Sequence, residues 1–332
     1  MDLAKKLGLD DIELNYGTVK TLGPFIALVL LFILATAINP AFLSAGNLRN
    51  VFARTAFIGI IAVGSTFVII AGGIDLSVGS MAAFISGVMI IVMNAAAANF
   101  GVGVTTVVIG IITSLVLGFL AGAFNGLFIT KGGIEPFIVT LGTMGIFRSL
   151  VTYLADGGTL SLDFGVRATY RPVYYQLILG IPVPVIVFGI IAILSTIILN
   201  KTSFGRYCLA IGSNYEVAKY SAINVPKVRT ITFILQGLCV AVATILYVPR
   251  LGAASASTGL MWELEAIAAV IIGGTALKGG AGRIWGTIVG AIILTLIGNI
   301  LNLTDLVSPY LNGTVQGLII IGAVMFQRSG SN

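Results

Sequence analysis

A carboxylate, a pair of serines and three glycines stand together at Gly72-Gly73-Ile74-Asp75-Leu76-Ser77-Val78-Gly79-Ser80, between two apolar stretches. A carboxylate this close to hydrocarbon is costly, so Asp75 should face protein, water or a cluster of backbone amides. Serine and aspartate at a helix start are common caps, so the spacing favours Asp75 or Ser77 accepting from the first amides of the next helix over direct contact with a solute. A second glycine-rich turn, Gly273-Gly274-Thr275-Ala276-Leu277-Lys278-Gly279-Gly280, lies 201 residues later, counting from 72 to 273, and matches the first at Gly72, Gly73, Leu76 and Gly79. Internal duplication is frequent in transporters, although chance also produces so glycine-dominated a match. This turn does not spell the phosphate-cradling Gly-x-x-x-x-Gly-Lys-Ser/Thr loop, and no such loop occurs in the chain. A process driven by ATP would need another polypeptide to hold the nucleotide and its magnesium. With no histidine and with cysteine only at Cys208 and Cys239, metal, haem and histidine-relay chemistry drop out. No nucleophile and base converge as a membrane enzyme would require.

A different kind of signal sits in Ser213-Asn214-Tyr215-Glu216, a serine followed three residues later by glutamate. This capping box predicts a helix starting at Ser213. It must end by Ala222, because Pro226 and the run before it discourage continuation. Val217, Tyr220 and Ser221 share one face at helical spacing, and Ala218 is read as part of the same small, apolar contact surface. Such a helix suits docking into a groove of a soluble partner, or lying on lipid headgroups.

The elements that must position these groups are membrane helices. Of 332 residues, 58% are hydrophobic and 9% charged, against about 25% charged in a soluble domain. Apolar stretches of the roughly 20 residues needed to cross a bilayer recur at 21–38, 55–72, 76–98, 102–130, 136–155, 179–199, 230–249, 260–277, 284–303 and 308–326. The eighth is interrupted by Glu263 and Glu265 and weakened by Gly273 and Gly274, so it could be broken or re-entrant. The 42 glycines fit closely approaching membrane helices. The expected fold is an all-α polytopic membrane protein of about ten transmembrane helices, one membrane-spanning domain over 1–332. It carries an N-terminal segment 1–20, an outer loop 156–181 and an inner loop 201–227.

Lysine and arginine orient it, since cytoplasmic loops carry their excess. With both termini inside, 12 of the 18 basic residues, including every lysine, fall on the inner face. The net charge of +6 thus reflects topology in contact with lipid, and implies no nucleic-acid partner. Ala35-Thr36-Ala37 resembles a cleavage site, but Asp2, Asp10, Asp11 and Glu13 precede the apolar stretch, so the first span is expected to stay uncleaved. Asn125, Thr140 and Thr143 are polar groups in apolar spans that could line a pore, although helix–helix contacts are the commoner use. Arg148 is the one ionisable residue well inside a span, which argues against a proton- or sodium-coupled carrier.

Three ordered motifs resemble the permease subunits of ribose, xylose and galactose type ABC importers. They are Gly72 to Ser80, Thr202-Ser203-Phe204-Gly205-Arg206-Tyr207 through Ala210-Ile211-Gly212-Ser213-Asn214, and Glu263 to Thr275. The resemblance implies a vitamin-B12-importer-like permease architecture and an alternating-access pore between two permease subunits, as a homodimer or heterodimer. It further implies a tandem-domain ATPase inside, holding ATP and magnesium, and a periplasmic sugar-binding protein outside. Gly212 and the segment Ser213 to Ala222, with Asn214, Glu216, Val217, Ala218, Tyr220 and Ser221, would be the coupling helix. Gly72, Gly73, Asp75, Ser77, Gly79, Glu263, Glu265, Gly273 and Gly274 would form the structural and gating motifs. Ala222 stands where glycine is frequent in that family, and Glu265 where aspartate is common. The nearest rival is a branched-chain amino-acid permease of related architecture.

Overall fold

The computed structural model describes residues 16–304 and, beyond them, 311, 313–315, 317–318 and 321–322. Uncharged apolar runs become helices because in lipid a helix pairs its backbone amides and carbonyls within one segment. Helix α1 (Tyr16–Ile38) leads through a 3-10 turn (Pro40–Leu43) to α2 (Ala45–Ile70), α3 (Val78–Phe100), α4 (Val104–Thr130) and α5 (Pro136–Leu154). An extramembrane stretch follows, with strand β1 (Thr159–Ser161), short helices α6 (Phe164–Tyr170) and α7 (Pro172–Tyr175), and the ribbon β2 (Leu177–Ile178) and β3 (Ile181–Pro182). Helix α8 (Val183–Lys201) then returns to α9 (Ser203–Ser213), α10 (Tyr215–Tyr220) and α11 (Val225–Leu251). Strand β4 (Ala253–Ser255), α12 (Trp262–Ile272) and α13 (Ile284–Thr304) complete the described chain.

Among the described residues, seven helices are long and apolar enough to cross a bilayer: α2, α3, α4, α5, α8, α11 and α13. They correspond to seven of the ten expected spans. The first expected span is present as α1, whose described apolar part, Gly23–Ile38, is shorter. The tenth, 308–326, lies largely outside the described residues. The eighth, 260–277, needs correction, because α12 has 11 residues and so rises only about 16 Å, half of a hydrocarbon core.

Helix α2 is the centre of the bundle. Its apolar window is 94% buried, against 28% for α5 and α8, which lie at the periphery. Phe57, Ile60, Ile61 and Val63 of α2 share one core with Phe188 of α8, Val240 of α11 and Ala269 of α12. Helices α4 and α11 cross where Gly118 and Gly122 meet Gly237, and a side chain at any of the three would overlap the facing backbone. This contact shows what a glycine-rich composition achieves in a membrane bundle. Among the described residues, the departures from an all-helical fold are two short antiparallel ribbons, β2 with β3 and β1 with β4, the latter pairing Leu160 with Ala254.

The segment 156–181 is folded onto the bundle. Tyr170 is wholly buried and its hydroxyl donates to the carbonyl of Ile245 at 2.6 Å. Burial pushes its phenol well above the ordinary range.

Candidate functional site

One end of the bundle gathers Lys131, Lys201, Lys219, Lys227 and Lys278, at or beside the ends of α4, α8, α10 and α11 and in the turn after α12. Both glycine turns sit there and have the same geometry. Helix α2 closes with the Gly72 amide donating to Ile69 (2.9 Å) and the Gly73 amide to Val68 (2.9 Å), with Gly72 at φ +75°. Helix α12 closes with Gly274 donating to Ile271 (2.8 Å) and Thr275 to Val270 (3.1 Å), with Gly274 at φ +86°. Residues 68–70 and 270–272 are both Val-Ile-Ile. The structural register is therefore 202 residues, from 72 to 274, and the 201-residue alignment of the two turns is corrected by one. Positive φ is the physical reason, since it must fall on glycine at a helix C-terminus of this kind.

The two turns touch. The amide of Gly280 donates to the carbonyl of Ile70 at 2.9 Å, and the Ser213 hydroxyl lies 3.5 Å from the carbonyl of Gly280. Gly212 packs so closely on the Ile70 carbonyl that any side chain there would overlap it. The end of α9, the end of α2 and the loop between α12 and α13 are thus one junction.

The capping expected at Ser213 is corrected. Helix α9 is capped at its start by Thr202, whose Oγ1 accepts from the Gly205 amide, and continues through Ser213. A residue inside a helix cannot take the extended conformation of an N-cap. Asn214 does take it, at φ −160° and ψ 108°, and its Oδ1 accepts from the Val217 amide at 3.0 Å. Glu216 then lies in the first turn, where a negative charge favours the helix dipole. Helix α10 covers six residues rather than Ser213 to Ala222. Ala222 stands outside it at φ +58°, a conformation that favours glycine. The contact face is corrected as well. Ala218 is 2% exposed and belongs to the central core, whereas Val217 and Tyr220 are 59% and 85% exposed. Tyr215 and Ser221 are exposed beside them.

Behind the junction lies a buried polar chain. Asp75 Oδ1 accepts from the Ser77 amide (2.8 Å) and the Ser77 hydroxyl (2.6 Å), and Asn125 Nδ2 donates to Ser77 Oγ (2.9 Å). Asp75 therefore satisfies the residue before α3, and the Ser77 side chain caps no amide of α3. Thr140 donates to the carbonyl of Pro136 (2.9 Å) and Thr143 to that of Thr140 (3.2 Å), the usual hydroxyl-to-preceding-turn bond. Asn125, Thr140 and Thr143 are all buried within the bundle of this chain.

Sequence reasoning missed the role of Arg148. From α11 the chain returns along α3 as strand β4 and then as turns up to α12. Leu160, partner of Ala254, lies against Gly87, and Gly259 lies against Gly79 so tightly that neither position has room for a side chain. Irregular backbone among membrane helices must be satisfied by protein. Nη1 of Arg148 donates to the carbonyls of Ala256 and, at 2.6 Å, Thr258. Glu263, in the first turn of α12, interacts electrostatically with Arg148 and approaches Gly79, and its Oε2 is buried without a hydrogen bond. The signal in the sequence was a lone arginine in a span, set against a stretch of small polar residues at 253–258. Glu265 lines, with Arg54, a separate cavity of about 70 Å³. Gly273 packs against Gly286 of α13.

Among the described residues, no group of three metal-ligating side chains converges. The two cysteines are free thiols, and burial pushes Cys208 up to about 12.

Residues 47–324 match the family described as branched-chain amino acid transport system / permease component. The chain is 40% identical over 315 residues to the ribose import permease protein RbsC of Bacillus subtilis (strain 168), covering 95% of each chain. It is 37% identical to the ribose import permease protein RbsC of Haemophilus influenzae, covering 91% of each. With the D-allose transport system permease protein AlsC of Escherichia coli (strain K12) the identity is 34%, over 92% of this chain and 91% of the relative. No solved structure matches.

Proposed function

Because this chain belongs to the branched-chain amino acid transport system / permease component family, we propose that it is the membrane-spanning permease subunit of an ATP-binding cassette importer for a monosaccharide. The observation that carries the sugar assignment is the likeness, across nine-tenths or more of both chains, to permeases named for ribose and D-allose. The chain is a transport subunit and not an enzyme. A separate tandem-domain ATPase holds ATP and magnesium, a periplasmic binding protein delivers the sugar, and a second permease subunit completes the pore. The lysine-rich end faces the cytosol of a bacterial inner membrane, a reading supported by the excess of basic residues there. Both termini lie on that side, with ten crossings in a vitamin-B12-importer-like arrangement.

The coupling contact in this reading is the exposed face of α10, with Tyr215, Val217 and Tyr220 pointing out and Asn214 fixing the helix start. A push on α10 reaches Gly212 and Ser213, and through them the carbonyl of Ile70 and the loop at Gly280. Two helix ends and the short α12 would then move as a unit. Coupling by displacement of packed elements is the ordinary repertoire of such transitions. Membrane vesicles carrying this chain with its ATPase and binding protein test the assignment. Labelled ribose, allose or xylose should accumulate only with ATP and only when the chain is present. Accumulation of leucine in place of every sugar would replace it with the amino-acid reading.

A further inference from the structure

The cavity of about 70 Å³ between α2, α12 and α13 is lined by two opposite charges, Arg54 and Glu265, with Thr295 beside them and Ile58 and Leu294 as apolar wall. The depth of these groups follows from the helices that carry them. Helices α2 and α12 both close at the lysine-rich end, at Ile70 and Ile272. Counting from 265 to 272, Glu265 stands about 10 Å above that end, and counting from 54 to 70, Arg54 stands about 24 Å above it. In a hydrocarbon core of roughly 30 Å the carboxylate is a third of the way across, too deep for its short side chain to reach headgroups on either side. Arg54 is exposed, and Glu265 and Thr295 are half-buried, so the cavity opens on the surface of this chain. A partly exposed carboxylate at that depth faces protein or a water-filled path, because lipid does not solvate it.

The polar surface continues outward from the cavity. Asn47, two turns before Arg54 on the same face of α2, and Asn299, one turn after Thr295 on α13, exchange side-chain hydrogen bonds of 3.1 and 2.8 Å. The seam of α2 with α13 thus presents amides, a guanidinium, a hydroxyl and a carboxylate in succession from the outer end to the middle of the bilayer. Such a stripe suits a solute whose hydroxyls both donate and accept. Arg54 can only donate and an ionised Glu265 can only accept. The Thr295 hydroxyl already donates to the Ala291 carbonyl at 3.0 Å, so it too is left to accept. The cavity has room for about two waters, less than a monosaccharide needs, so it is one wall of a site that a second permease subunit closes.

We propose that this cleft is a monosaccharide contact site on the translocation path, with Arg54 donating to the hydroxyls of the passing sugar and Thr295 and Glu265 accepting from them. Resting on the permease reading, this gives the pore a wall that Asn125, Thr140 and Thr143, buried within the bundle, do not supply.

Membrane vesicles carrying this chain, its ATPase and its binding protein provide the test. Thr295→Cys should react with a membrane-impermeant cationic methanethiosulfonate above the background of the unaltered chain. Turnover with ATP and D-ribose should protect that thiol, and turnover with ATP and no sugar should not. Glu265→Gln should lower ribose uptake about tenfold at an unchanged amount of permease in the membrane, the usual effect of losing one charged hydrogen bond. Glu265→Asp keeps an acceptor there and should restore most of the uptake. Combining Arg54→Gln with Glu265→Gln should do no better than either change alone. A thiol at 295 that the reagent never reaches, or reaches equally with and without ribose, would overturn the proposal. So would protection by leucine in place of ribose, or a double variant more active than the single ones, because the two charges would then serve only each other. Sugar uptake by the unaltered chain is measured in the same vesicles. Its absence would remove the sugar reading and this site with it, whereas sugar uptake with an unprotected thiol removes this site alone.

Discussion

Replacing Arg148 with methionine keeps an unbranched apolar stem and removes the guanidinium with its charge and donors. Two carbonyls of the segment between α11 and α12, Ala256 and Thr258, then lose their partner. Hydrogen bonds from charged donors contribute about 1.5–3 kcal/mol each, and because Arg148 is only half-buried, the lower value applies to both, about 3 kcal/mol in all. Glu263 adds to the loss, since removing Arg148 leaves its carboxylate without the nearby positive charge. Arg148→Met with Glu263→Gln should therefore recover about 1 kcal/mol relative to Arg148→Met alone. Reversible unfolding in mixed micelles, by titration with sodium dodecyl sulfate and followed by circular dichroism, measures both values. A loss below about 1 kcal/mol for Arg148→Met would refute the reasoning, because the backbone at Ala256 and Thr258 would then have found its hydrogen bonds elsewhere. A double variant no more stable than the single one would refute only the part assigned to Glu263.

Three other outcomes follow from the lysine-rich end. Ala218→Arg, at a core position, should lower the amount of folded permease in the membrane, whereas Tyr220→Arg should leave that amount unchanged and abolish co-purification of the ATPase; immunoblotting of membranes and of affinity eluates reads both. Asn214→Ala should cost about 1 kcal/mol at the start of α10, and Ser213→Ala should leave that helix start unaffected; hydrogen exchange at the Val217 amide separates them. Cys208, pushed up to about 12 by burial, should resist maleimide at pH 8 in native vesicles and react once the protein is unfolded, because the thiolate is the reacting form and pH 8 lies far below the folded pKa. Fast native labelling would show that α9 opens.

Spans were legible where hydropathy alone decides, and seven of the expected ten have counterparts among the helices long enough to cross. What hydropathy could not supply was the path of the backbone between Gly252 and Trp262. Residues 260–272 are apolar enough to read as the start of a span, but Gly252 and Gly259 turn the chain with left-handed backbone and the helix begins only at Trp262. Periodicity is blind to such turns because it averages over a window longer than the turn itself. The capping box failed for a related reason. Ser213 and Glu216 have the right spacing, but α9 was already running through Ser213, and the box cannot reveal that a preceding helix claims its first residue. The Asn214 cap was visible in the same four residues.

The repeated turn shows how far local chemistry reaches into mechanism. Aligned by glycine identity, 72 and 273 match, and the repeat could be chance. Aligned by the residue that must adopt positive φ, 72 and 274 match, and Val68-Ile69-Ile70 then falls on Val270-Ile271-Ile272. In each case an apolar helix descends to the lysine-rich end, closes with the same pair of backbone bonds, and gives way to a second apolar helix, α3 in one case and α13 in the other. The difference between the copies is length: α2 has 26 residues and α12 has 11. The missing turns of α12 are replaced by strand β4 and the turn after it, which Arg148 holds at Ala256 and Thr258. A full-length helix has no such joint, whereas a short helix hung between an arginine-pinned turn and a glycine turn can tilt without breaking its own hydrogen bonds. The joint and the proposed coupling contact share the same junction at Ile70, Ser213 and Gly280, so the element best able to move is the one that a push on α10 would reach first.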